Sequence, residues 1–298
     1  MRHNKLAIIQ ARMSSSRLPG KVLLDVAGKP ILHHMLERLG KAKSLDGIIV
    51  ATTTDPSDDV LEHFCQKLAV PCHRGSLPDV LDRCYQASEK FQADVIVRLT
   101  ADCPLIDPEI LDLTVAVFLG QSIQNGLSAC SKLPGTDSLG AYPFDFAANR
   151  LPPPWKRTIP IGLDVEVCSF ESLQRTWKEA HETYHREHVM PYLYEGISFQ
   201  AFTPPQNLGW YIESGTTPRG FRVAQLNHFP DYGSLRWTVD TPADLEFVRQ
   251  VYARFEHQPD FGWKEIITLL ENEPGLASIN ADEQHKSVFD VDQRNMGH

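Results

Sequence analysis

The sequence predicts an α/β fold built on a doubly wound, mainly parallel sheet. Two observations carry that expectation. Short apolar runs alternate with helix-period segments through the first 120 residues, and a charge-bearing loop follows each apolar run. A third observation points to chemistry at the edge of such a sheet. The first apolar run leads into Gln10-Ala11-Arg12-Met13-Ser14-Ser15-Ser16-Arg17-Leu18-Pro19-Gly20-Lys21, which crowds three cations, three serines and a glycine into one short loop.

Element by element, residues 6–10 read as a strand and a helix follows from about residue 30. Residues 47–53 are the next strand, with a helix from about residue 57. Residues 70–73 precede a helix near 79–91, and 94–100 is another strand. Residues 107–118 read as a helix with Pro108 in its first turn, where a missing N–H costs nothing. In open sheets of this kind ligands bind beyond the carboxyl ends of the strands, so the loops at 11–21, 52–57, 74–79 and 101–107 should converge on one crevice.

Beyond residue 120 the pattern becomes rich in Gly, Ser and Pro, including Pro152-Pro153-Pro154-Trp155, and reads as an insertion over about 121–160. A strand at 161–167 and a helical stretch at 169–195, interrupted near Pro191, come next. A second irregular segment spans 204–221. Residues 235–240 read as a strand ending at Asp240, and Thr241, Pro242 and Asp244 form a helix start. The expected organisation is one domain over 1–280 and a loosely held polar tail over 281–298, with loosening already from Asn280.

Composition narrows the function. Lys plus Arg total 29 against 38 Asp plus Glu, a formal charge of -9, which argues against a general nucleic-acid surface. Positive charge concentrated in one loop of an acidic chain suits a local anion such as a nucleoside triphosphate. No apolar run reaches the length that spans a bilayer, so a soluble cytoplasmic protein is expected. Cys65, Cys72, Cys84, Cys103, Cys130 and Cys168 lack paired spacing and read as scattered small apolar residues. The aromatic residues Trp155, Trp210 and Tyr211 suit either stacking on a sugar or small core satellites.

Asp102, in Thr100-Ala101-Asp102-Cys103-Pro104, and Asp240 each follow an apolar run. Two hard oxygen ligands can hold Mg²⁺ and leave room for phosphate oxygens. Asp164 and Glu166, two apart, are expected on one face of a strand.

These segments together resemble the cytidylyltransferase superfamily. The resemblance rests on Gln10-Ala11-Arg12 through Lys21, Asp102-Cys103-Pro104-Leu105, Gly162-Leu163-Asp164-Val165-Glu166-Val167, Arg186-Glu187-His188 and Trp237-Thr238-Val239-Asp240-Thr241-Pro242. They look most like the SpsF-like branch, named for spore coat polysaccharide biosynthesis, with the CMP-Kdo and CMP-acylneuraminate synthetases as more distant relatives. The similarity runs over most of residues 5–275.

The resemblance implies a Rossmann-like, nucleotide-diphospho-sugar transferase (GT-A-like) fold. It also implies CTP as co-substrate, Mg²⁺ as cofactor, a homodimer, and transfer of CMP to an acidic sugar or related acceptor. By the same resemblance Arg12, Lys21, Asp102 and Asp240 are catalytic, and Asp102 and Asp240 hold the metal. Gln10, Ala11, Arg12, Ser14, Arg17, Lys21, Thr52 and Arg74 bind the nucleotide, and Asp164, Glu166 and His188 face the acceptor. Ala101 stands where relatives often have Gly, and the segments 121–160 and 204–221 are longer than the branch leads one to expect.

Three other readings compete. His181-Glu182-Thr183-Tyr184-His185 matches the zinc-hydrolase pattern H-E-x-x-H, which on a helix would place both imidazoles on one face. A GT-A glycosyltransferase would use a D-x-D, and Asp290-Val291-Asp292 supplies one, though in the polar tail rather than after a strand. A non-catalytic nucleotide-binding protein would need no intact acidic pair. Neither a Walker A loop nor G-x-G-x-x-G occurs.

Overall fold

The computed structural model describes residues 3–121, 128–129, 142–199 and 209–283. Cys130, Asp290-Val291-Asp292, the tail beyond residue 283 and parts of both expected insertions lie outside the described residues. In chain order the strands are β1 (Lys5–Gln10), β2 (Asp25–Val26), β3 (Lys29–Pro30), β4 (Gly47–Thr53), β5 (Cys72–Gly75), β6 (Val95–Thr100), β7 (Ser128–Ala129), β8 (Phe146–Ala148), β9 (Glu166–Ser169), β10 (Ser198–Phe199), β11 (Gly209–Thr216) and β12 (Arg222–Phe229). Strands β2 and β3 pair with each other, and the rest form one sheet ordered β10-β11-β12-β8-β9-β6-β1-β4-β5, with β7 against β11.

The parallel run β6-β1-β4-β5 is the part the apolar periodicity marks out. Gln10 is in register with both Thr100 and Ala51, so the three strands deliver their following loops to one edge. Side chains alternate along β1. Ala7 and Ile9 enter one buried cluster with Val95 and Val97, whereas Leu6 and Ile8 enter another with Ile49 and Ile96. Both faces of β1, β4 and β6 are covered, which is why these three read as nearly continuous apolar runs, while β5, at the edge, is half-buried.

Outside that run the sheet is mixed. Strand β9 is antiparallel to both β6 and β8, so the doubly wound expectation holds only for the centre. The segment expected to stay irregular at 204–221 contains β11, which pairs antiparallel with β12 from Gly209↔Phe229 to Thr216↔Arg222. Gly209, Ser214 and Gly215 weaken the strand pattern there, and cross-strand pairing overrides them.

The helical stretch at 169–195 is three helices, Phe170–Glu179, Thr183–His188 and Pro191–Tyr194, the first capped by Ser169 accepting from the Ser172 amide. Residues 235–240 do not form a strand. Their one bridge joins Ile161 and Arg236, and the segment crosses the sheet edge with the Val239 amide 2.8 Å from the Asp102 carbonyl.

Helix Pro242–Arg254 begins as its sequence indicates. Thr241 accepts from the Asp244 amide, Asp244 accepts from the Thr241 amide, and Pro242 occupies the first turn. The loosening expected from Asn280 does not begin there. Its side chain is 4% exposed and donates to Asp244 and to the Arg236 carbonyl.

Candidate active site

The loop after β1 is held in shape by its own backbone. The Met13 carbonyl accepts from the Ser15 amide at 2.9 Å and from the Gly20 amide at 2.8 Å. Gly20 sits at φ 70°, a conformation that favours glycine, and turns the chain into the short 3-10 helix Lys21–Leu23. The Lys21 stem is buried and its ammonium emerges at the cleft.

Lys21 Nζ donates to Asp102 Oδ2 and to Asp240 Oδ1, each at 2.7 Å. Asp102 Oδ1 accepts from the Thr100 hydroxyl at 2.6 Å. Asp240 Oδ2 lies 2.7 Å from Arg17 and 2.8 Å from Arg236. Burial works against both charged forms, yet the partners prevail: Asp102 and Asp240 raise the Lys21 pKa, while Lys21, Arg17 and Arg236 push the Asp240 carboxyl far below its usual range.

Asp240 is fixed from behind rather than at a strand end. Arg236 bridges it to Asp244, donating to Asp244 Oδ1 at 2.8 Å, and Asn280 completes the bracket from the other side. Gly162 permits the crossing segment to approach, since a Cβ there would lie 2.5 Å from the Thr238 amide nitrogen. Any side chain at 162 would push Asp240 out of line.

The cleft runs from this carboxylate pair along Arg12 and Arg17 to a second charged wall. Arg98 and Glu166 are cross-strand partners in β6 and β9, and their ion pair closes to 2.5 Å. Arg98 also donates to the Gln10 side-chain oxygen at 2.7 Å. Asp164 precedes β9 and is clamped by Arg157 at 2.5 and 3.0 Å, with Arg150 at 3.4 Å.

His188 lines the same wall. Among the described residues its buried Nε2 has no hydrogen-bond partner, and burial lowers the pKa, which favours the neutral ring. Arg83 is 1% exposed yet lines the cleft, its pKa brought down to about 10 by burial and by the charge of Arg12.

Gln10, Ala11, Arg12, Arg17, Lys21, Asp102, Asp164, Glu166, His188 and Asp240 therefore share one cleft. Ser14, Thr52 and Arg74 are not on its wall. Thr52 is buried and donates to Asp58, while Arg74 donates to the Thr53 and Asp55 carbonyls and pairs with Asp59 at 2.6 Å. Trp155, Trp210 and Tyr211 also lie off the wall: Trp155 donates to the Ile197 carbonyl, Trp210 packs on His228 and Trp263, and Tyr211 is buried.

Arg83, Arg98, Arg150 and Tyr194 are cleft residues that sequence reasoning missed. Arg98 carried a signal, since an arginine in the middle of an apolar strand needs a buried partner.

The zinc pattern fails on geometry. The helix begins at Thr183 with Glu182 as its cap, His181 is exposed before it, and His185 is buried beside Glu195 and Tyr192. Among the described residues no group of three or more His, Cys, Asp or Glu is placed to hold a metal ion.

Two carboxylates that already converge on one cationic centre do fit Mg²⁺ as it binds beside polyphosphates, with few protein ligands and the remainder supplied by phosphate and water. Cys103 is buried next to Asp102, and burial holds its thiol well above the usual range, which makes it a poor nucleophile. Among the described residues no helix is long and apolar enough to cross a membrane.

Comparison with known proteins identifies the family. The cytidylyltransferase family model matches residues 6–251. An uncharacterised protein of Methanocaldococcus jannaschii is 34% identical over 291 residues, covering 97% of this chain and 99% of the relative. The spore coat polysaccharide biosynthesis protein SpsF of Bacillus subtilis is 30% identical over 277 residues, covering 92% and 96%. A cytidylyltransferase structure from Leptospira borgpetersenii superposes with a TM-score of 0.74 at 29% identity, over 96% of this chain and all of that one. By the extent of the family match and the position of its cleft on an α/β sheet with a parallel centre, the chain belongs to the cytidylyltransferase family.

Proposed function

We propose that this protein transfers CMP from CTP to an acidic sugar or a related acceptor, releasing pyrophosphate, in the biosynthesis of a surface polysaccharide or glycoconjugate. The observation that carries this reading is the Lys21 ammonium seated 2.7 Å from both Asp102 and Asp240, at the mouth of a loop that also brings Arg12 and Arg17 to the cleft. The relative SpsF, named for polysaccharide biosynthesis, supports the pathway class.

In the reaction an acceptor oxygen forms a bond to the α-phosphorus of CTP as the bond from that phosphorus to the α,β-bridging oxygen breaks. That oxygen leaves with pyrophosphate, and a hydroxyl acceptor gives its proton to water, while a phosphate or phosphonate acceptor has none to lose. Arg12, Arg17 and Lys21 supply fixed positive charge along the triphosphate, where it neutralises the leaving group without reorganisation. Asp102 and Asp240 would hold Mg²⁺, whose contribution is further neutralisation of phosphate charge. Gln10 and Ala11, at the end of β1, border the nucleoside side.

On the opposite wall Glu166, Asp164 and His188 meet the acceptor. Both oxygens of Asp164 accept from Arg157, so it orients the acceptor rather than taking a proton. Neutral His188 offers an unsatisfied ring nitrogen for a hydrogen bond.

The test is pyrophosphate release with CTP, UTP, GTP and ATP against nonulosonic acids, sugar phosphates and phosphonates, with and without Mg²⁺. CTP-selective release with one acceptor class supports the reading. No binding of any nucleotide by calorimetry overturns it.

A further inference from the structure

Asp58 does not line the cleft, yet it is 1% exposed and both of its oxygens are engaged. Its Oδ1 accepts the Met13 amide at 2.7 Å. Its Oδ2 accepts the Thr52 hydroxyl at 3.0 Å, the Thr53 amide at 3.1 Å and the Thr53 hydroxyl at 2.5 Å. All four donors are neutral. A carboxylate held in the interior by neutral donors is costly unless its hydrogen bonds are complete, so its retention calls for a geometric account.

That account lies in Met13. The Met13 amide is fixed by Asp58 from the β4 side, and the Met13 carbonyl closes the loop by accepting the Ser15 and Gly20 amides. Arg12 immediately precedes this knot and Lys21 immediately follows Gly20. The separation of the two cations is therefore set by a residue whose position depends on a buried carboxylate one strand away.

We propose that Asp58 is a positioning residue for the triphosphate: it locks the loop so that Arg12 and Lys21 are spaced for phosphate oxygens before nucleotide arrives. The proposal rests on the CTP reading for its ligand, and it also makes a statement about the free protein that does not depend on that reading. Preorganised donors bind without the cost of ordering a loop, so loosening the knot should act on the triphosphate and spare ligands that lack the β and γ phosphates.

The experiment pairs two substitutions that strain the knot from opposite ends. Asp58→Asn puts an NH2 where one set of donors points. Gly20→Ala leaves Asp58 untouched, forces a side chain into φ 70°, and brings a Cβ to 3.3 Å from the Met13 Cε. Amide hydrogen exchange of the ligand-free protein and calorimetric binding of CTP and CMP are measured for both.

The expected result is exchange at Met13 and Gly20 faster by roughly tenfold or more, with the β1 and β6 amides unchanged. CTP affinity falls by a similar factor while CMP affinity shifts by less than about twofold. If Asp58→Asn does not fold, Gly20→Ala and Thr53→Val decide the matter by the same readouts.

Uniform acceleration of exchange, or equal losses for CTP and CMP, marks Asp58 as merely structural and overturns the proposal. Selective exchange in a protein whose wild type binds no CTP would instead strike the functional reading and with it the assigned ligand, leaving the loop lock standing.

Discussion

Lys21 Nζ lies 2.7 Å from Asp240 Oδ1, a contact between residues 219 apart in sequence. It joins the loop after β1 to the turn that starts helix Pro242–Arg254, and Asp102, after β6, shares the same ammonium. The lysine thus neutralises both carboxylates, and under the proposed function triphosphate oxygens would be its alternative partners. Lys21→Met should weaken CTP binding by roughly 10–100-fold, the value of one or two charge-assisted hydrogen bonds, and leave CMP binding nearly unchanged. Parallel titrations of the two ligands check this, and equal losses would place Lys21 away from the β and γ phosphates.

The two carboxylates should respond differently to neutralisation. Asp102→Asn removes one acidic oxygen beside Thr100 and one of the two carboxylates on the buried Lys21 ammonium, and should lower pyrophosphate release by roughly 10²–10³-fold or more at a smaller stability cost than Asp240→Asn. Asp240→Asn should lose turnover as severely and also cost about 1–3 kcal/mol of stability, because Arg17 and Arg236 lose a buried acceptor. Urea unfolding alongside the turnover assay separates the two effects. Near-normal turnover in both variants would remove the metal assignment.

Arg98 and Glu166 form the pair at 2.5 Å on the second charged wall of the cleft, and both side chains are largely buried. Breaking such a pair from one side should cost about 3–5 kcal/mol, since an unmatched charge stays inside. Arg98→Met should therefore destabilise the protein strongly. The double variant Arg98→Met with Glu166→Leu should recover most of that stability and still fail to turn over substrate. A double-mutant cycle on urea midpoints measures the coupling, and additivity within about 0.5 kcal/mol would show that the pair does not act as a unit.

Local periodicity made the centre of the fold legible, because β1, β4 and β6 are covered on both faces and the helices on either side of β6 carry their own caps, Asp79 and Asp107. It also made legible that the loops after β1 and β6 share a crevice, whereas the loops at 52–57 and 74–79, expected there too, do not line it. Cross-strand pairing was not legible. Strand β12 and the partnership of Arg98 with Glu166 exist only because distant segments align, and nothing within either segment announces the other. Asp240 was identified with the wrong support, since the apolar run 235–239 packs as a crossing segment around Gly162 and forms no ladder. H-E-x-x-H shows the converse, a rival pattern whose metal reading requires a helix running through His181, where the structure has the cap at Glu182.

Acidification should destabilise the protein well before its carboxylates titrate. His34, His73, His185, His188 and His228 all have pKa values lowered by burial from 6.5. The unfolded chain takes up protons at these sites near pH 6.5 while the folded chain does not, so the unfolded state binds more protons and stability falls as pH drops from 6.5 toward the folded values. Each histidine held neutral contributes a slope of at most about 1.4 kcal/mol per pH unit in that window.

The other perturbed groups act elsewhere on the scale. Asp240, depressed below 3.8, contributes stability that persists above that value and is lost only as pH falls through its folded pKa. Lys21, raised above 10.5, contributes stability that is lost only as pH rises past that value. Urea midpoints at about pH 7.5, 6.5 and 5.5 should therefore decline, and His188→Asn should flatten the decline by one histidine's share. A profile flat from 7.5 to 5.5 would mean that the buried rings are protonated in the folded protein, and would withdraw neutral His188 as the hydrogen-bonding group of the acceptor wall.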